Sequence, residues 1–232
     1  GELSAAASHS LQLRPGRQFV HLSSESENGG GVALAAGGGV RVTRFREIFI
    51  APDEPIPADI GTILSYPVSQ WRQGRYELFR WSAYPEILII DTHSYEFQSR
   101  MFKRLAFFVE KRGARGTLLT NGELLGRHGW NAHNYRPVDL ARFFNRAERD
   151  GFPLNVEERL LRALLLGNGL LRREKGAFEA GIGGVLSVSR ESYPQLRELL
   201  ITHEAFHGIY YQAPEFRDRV QRLWNEELSE EE

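Results

Sequence analysis

The pattern of hydrophobic and polar positions along this chain changes period near Tyr84 and Pro85. Before that point the apolar residues come in short runs. Leu11, Leu13, Phe19 and Val20 form one, and Val40, Val42, Phe45, Ile48 and Ile50 form two more, separated from the first by a Gly/Ser-rich stretch at 23–31. Such runs, rich in β-formers and bounded by turn residues, predict strands. The stretch 51–61 carries Pro52, Pro55 and Pro57, so it predicts a loop or a sheet edge. Two further strands are expected at 61–68 and 75–81. Many short strands with Gly/Pro turns predict a β-rich domain over residues 1–85, a small sandwich or open barrel that would serve as a binding module.

After Pro85 the chain reads differently. Residues 86–92, EILIIDT, form a continuous apolar strand. Tyr95, Phe97, Met101, Phe102, Leu105, Phe108 and Val109 then recur at helical spacing, with Ser94 as N-cap and Gly113 as the stop. A polar, turn-rich loop at 117–137 leads to a helix over 138–151, with Pro137 in its first turn. Another helix is expected at 156–168, capped by Asn155, then a strand at 185–189 after Gly181 to Gly184, and two closing helices at 191–211 and 214–228. The aromatic residues Phe102, Phe107, Phe108, Phe143 and Phe144 read as core.

Composition narrows the chemistry. The 232 residues contain no cysteine, which excludes disulfides, thiolate nucleophiles and Cys-ligated metals, so a transition metal would need His and carboxylate ligands. Lys+Arg at 29 against Asp+Glu at 30 gives a net charge of -1, which requires neither nucleic acid nor an anionic membrane as partner. No apolar run approaches the length of a membrane span. The small, polar opening GELSAAASHS is compatible with the mature end of an exported chain, and the expectation is an extracytoplasmic or secreted protein.

The chemistry concentrates in His203-Glu204-Ala205-Phe206-His207. Histidines four apart on a helix present both imidazoles on one face, close enough to share an ion. Glu204 lies about 100° round the helix from His203, where it can accept a proton from metal-bound water and return it to a leaving amine. The flanking residues Leu199 to Thr202 and Gly208, Ile209 are uncharged, and an apolar helix carrying two imidazoles and a carboxylate is hard to explain without a metal. The strand before the helix could seat an extended substrate by strand addition.

ITHEAFHGI resembles the active-site helix of the zincin metallopeptidases. The resemblance implies Zn2+ held by His203 and His207, with Glu204 as general base. It does not reach the metzincin branch, because Tyr210 and Ala213 stand where that pattern continues with Gly and a third His. Eighteen residues separate His207 from Glu226, and Trp224-Asn225-Glu226 is similar to the context of the third ligand in gluzincins. Glu226 is therefore the expected third ligand. Asp218 competes on the same segment, and His93, Asp91, His128 and His133 compete from upstream.

The segment 127–137 packs His128, Trp130, His133, Tyr135, Arg127 and Arg136 into a loop typical of binding surfaces. His128, His133, Tyr135 or Tyr210 could stabilise an oxyanion, and Arg127 or Arg136 could grip a carboxylate. Asp91, at a strand end, is placed either for a site or to cap the next helix. The expectation is an α+β chain in two parts: a β-sandwich-like domain over 1–85 and a zincin-like metallohydrolase domain over 86–232. It would cleave a peptide or protein substrate, one associated with the cell wall included. The rival reading is a non-catalytic binding protein for glycan, cell wall or a protein partner, with an inactive zincin-like part. A metal hydrolase acting on another bond is the third.

Overall fold

The computed structural model describes residues 54–228, so the strands expected before residue 54 lie outside the described residues. Within them the chain is α+β, with one mixed five-stranded sheet, a separate hairpin and six α-helices. The sheet runs β1 (Ile56–Ala58), β2 (Tyr76–Trp81), β3 (Ile87–Thr92), β7 (Gly184–Ser189), β4 (His133–Tyr135) in spatial order. β1 is parallel to β2, β2 antiparallel to β3, β3 parallel to β7, and β4 antiparallel to β7. β5 (Leu171–Glu174) and β6 (Ala177–Ala180) make the hairpin.

Alternation along the strands sorts side chains onto two faces. Leu78, Leu88, Ile90, Tyr135 and Val185 face α2 (Tyr95–Val109), α3 (Pro137–Arg149) and α4 (Val156–Gly167), in a cluster that includes Phe102, Phe143, Phe144 and Leu161. Phe79, Ile87, Ile89, Leu186 and Val188 face α1 (Ile60–Ser65) and α5 (Pro194–Gln212), through Ile63, Ile201 and Ala205. β3 is apolar at consecutive positions because both of its faces are covered. α6 (Pro214–Arg222) follows α5, and Phe216 stacks on Phe206 of α5.

Several expected boundaries hold. Ser94 caps α2 by accepting from the Phe97 amide, and Asn155 with Glu158 forms a capping box on α4. The same Glu158 carboxylate is paired with buried Arg104 of α2, so the cap also ties two helices together. Four features differ. The stretch 61–68, expected as a strand, is mostly α1, because the Asp59 side chain accepts from the Thr62 amide and starts a helical turn. Within the 117–137 loop, residues 133–135 are a strand, and Lys175 and Gly176 turn an unforeseen hairpin with positive φ. The sheet also crosses residue 85: β2 pairs with β3 from Tyr76↔Thr92 to Arg80↔Leu88. Residues 54–85 thus share one sheet with the strand that precedes α5.

Gly183, at the entry to β7, has φ +105°, and a Cβ there would lie 1.9 Å from the Glu86 carbonyl oxygen. Gly183→Ala is expected to cost at least about 2 kcal/mol, from a backbone region closed to L-residues and the collision with a fixed carbonyl. A lowered urea midpoint measures it, and an unchanged midpoint would show that the turn relaxes.

Candidate metal centre

Helix α5 begins at Pro194, where a missing N–H costs nothing, and lays one face on the sheet. That face carries Arg197, Ile201, Glu204, Ala205 and Gly208, all buried. Gly208 brings the helix close to the sheet, since a Cβ there would already contact Ile87 and Leu186 at 3.5–3.7 Å. His203 and His207 stand off this face, the first exposed and the second half-buried, while Glu204 points inward.

The two imidazoles converge. Their Nε2 atoms are 3.2 Å apart, and the ring planes meet at 75°. Together with a Glu204 carboxylate oxygen, the ligand atoms all lie within 4.8 Å of one another, so this group could hold a metal ion. Nitrogens this close must share either a proton or a cation. Two nitrogens each about 2.05 Å from one tetrahedral zinc would stand about 3.3 Å apart, so the observed spacing fits the donor set. His207 is held below its ordinary pKa by burial and then by His203, which favours the unprotonated ligand.

Behind the imidazoles the Glu204 carboxylate sits at the junction of α5 and β4. Asn134 Nδ2 donates to Glu204 Oε2 at 2.6 Å, and the Tyr211 hydroxyl donates to Asn134 Oδ1. Strand alternation puts Asn134 on the α5 side, while its neighbours His133 and Tyr135 point toward α2. Burial pushes the Glu204 carboxyl up, the Asn134 hydrogen bond and His203 oppose the rise, and Glu110 adds to it. Glu110, next to α2, is itself raised by burial, a rise that Tyr135 and Trp130 oppose.

The other expected site residues are spread out. Glu226 is exposed on a single π turn, Leu223–Glu227, and lies outside the His203, Glu204, His207 group, as do Asp218, His93 and His128. Tyr210, on the His203 side of the helix, is turned to α6, where its hydroxyl accepts from Gln221 at 3.1 Å. The tyrosine joined to Glu204, through Asn134, is Tyr211. It lies seven residues beyond Glu204 and therefore on the same helix face, a spacing visible in the sequence. His128 is exposed on the loop before β4. His133 is a core residue: fully buried, stacked on Phe102 at 4.9 Å between centroids, with its pKa lowered by burial to about 3. Arg136 pairs with Asp139 at 3.0 Å, and Arg127 lies over Phe107.

Asp91 is neither a ligand nor the α2 cap. It is fully buried and accepts from Arg197 of α5 at 2.6 Å, with Arg190 at 2.9 Å. Arg190 also donates to the Ile63, Leu64 and Tyr66 carbonyls at the end of α1. Strand addition next to β7 is closed off, because β3 and β4 occupy its two edges. Among the described residues, β4 is an edge strand of the sheet and touches Glu204 through Asn134. No helix among the described residues is long and apolar enough to cross a membrane. The chain has no significant match among known protein families, curated proteins or solved structures.

Proposed function

We propose that this protein is a zinc-dependent hydrolase of amide bonds, most simply a peptidase. The observation that carries the reading is the 3.2 Å convergence of His203 and His207 Nε2 beside a buried carboxylate. Imidazole donors with an oxygen nearby suit zinc better than magnesium or calcium, which take oxygen shells. A zinc ion held there would acidify a coordinated water and polarise the scissile carbonyl. Glu204 takes the proton released as the water oxygen bonds to the carbonyl carbon. It returns that proton to the amide nitrogen as the carbon–nitrogen bond breaks, so the carboxylate ends as it began. The outer edge of β4, whose Asn134 touches Glu204, offers main-chain groups to an extended peptide, which makes a polypeptide the favoured substrate.

Protein purified without chelator is expected to carry about one equivalent of zinc, and His203→Ala and His207→Ala to carry almost none while keeping their circular dichroism. Fluorophore-labelled denatured casein and a quenched fluorogenic peptide library are the activity probes. Chelation should abolish cleavage and added zinc restore it. Failure to bind zinc at saturating concentration would end the reading.

A further inference from the structure

We infer that Asn134 and Tyr211 are positioning residues that orient the base. The inference rests on the hydrolase reading above. The hydrogen bonds run in one direction: Tyr211 donates to Asn134 Oδ1, and Asn134 Nδ2 donates to Glu204 Oε2 at 2.6 Å. An amide between a hydroxyl donor and a carboxylate has one satisfying orientation, with its oxygen to the tyrosine and its NH2 to the glutamate. The chain therefore fixes the amide, and the amide fixes the carboxylate. Oε2 is engaged by Asn134, which leaves Oε1 as the oxygen to take the proton.

The three groups come from separate places. Glu204 and Tyr211 lie two turns apart on α5, and Asn134 is the middle residue of β4, held by pairing with Leu186 of β7. Tyr211 also packs over Gly184, where a Cβ would approach its ring to 3.1 Å, so the hydroxyl is held from behind. The orientation of the base is thus tied to the same strand whose outer edge is open to substrate.

Two readouts test this, one independent of turnover. In a 1H–15N spectrum the Asn134 side-chain amide should show a proton shifted downfield of the ordinary Asn range, returning to that range in Glu204→Ala. With the fastest-cut member of the fluorogenic peptide library, Asn134→Ala should lower kcat about 10- to 100-fold, with KM and bound zinc close to unchanged. Asn134→Asp, which keeps the shape but sets a carboxylate against Glu204, should lose as much. Tyr211→Phe should lower kcat less, and the double variant Asn134→Ala, Tyr211→Phe should be no worse than Asn134→Ala, because Tyr211 acts through Asn134. An amide resonance indifferent to Glu204→Ala, an unchanged kcat in folded Asn134→Ala, or multiplicative losses in the double variant would overturn the positioning role and leave the hydrolase standing. A zinc-loaded wild type that cuts no probe would remove both.

Discussion

Glu204→Gln is expected to lower kcat by about 10²- to 10⁴-fold while zinc remains bound at the wild-type level. The substitution keeps the volume and the two-pronged shape of the side chain, so the buried junction of α5 and β4 stays filled. It removes the carboxylate proposed to accept and return the proton. The Glu204 carboxyl is buried and its pKa is raised by that burial, so a neutral amide costs the fold little there. The two imidazoles do not depend on it for their convergence, because their Nε2 atoms face each other across one helical turn. Metal analysis and steady-state kinetics on one preparation make the test. Loss of activity with loss of zinc would make Glu204 a structural support of the site, and full activity with zinc bound would remove it as the base.

The second large effect concerns stability. Asp91→Ala should cost about 3–5 kcal/mol, because it leaves the buried Arg197 without its carboxylate and removes the partner of Arg190. Arg197 is 4% exposed and Asp91 is fully buried, so solvent cannot replace the lost partner. A whole domain is stable by only about 5–15 kcal/mol, so the variant should unfold at a markedly lower urea concentration. Asp91→Asn, which keeps one acceptor oxygen, should lose less. Glu148→Gln is the contrasting case: its partner Arg173 lies 2.9 Å away, but the side chains are 47% and 41% exposed, and the change should stay within about 0.5 kcal/mol. Equal effects from the buried and the exposed pair would show that the Asp91 cluster contributes nothing beyond surface charge.

What could be read from the sequence was local. The run Ile87 to Ile90 is apolar at every position because it is covered on both sides, and Ser94 and Asn155 announced their helices through caps spanning three residues. The His203-Glu204-His207 group needed only the helical repeat. Contacts between distant parts of the chain left no such mark. Asn134 meets Glu204 across 70 residues, and Asp91 meets Arg197 across 106. β4 has three residues, too few for alternation to stand out from the surrounding loop. Ile63 and Leu64 suggested a strand, but the Asp59 cap decided for a helix. For Glu226 the spacing and the Trp224-Asn225-Glu226 context are both local, and neither says how the chain turns after Arg222, where a π turn takes over from α6.

The ladder between β2 and β3, with the Arg190 contacts to the end of α1, sets how small a working fragment of this protein can be. A piece starting at residue 86 would keep His203, Glu204 and His207. It would forfeit the strand that shields one flank of β3 and the carbonyls that steady Arg190, baring a row of unpaired amides on an apolar ribbon. The end carrying His203, Glu204 and His207 and the segment from Ile56 onward are therefore one structural unit: engineering that swaps one must carry the other along.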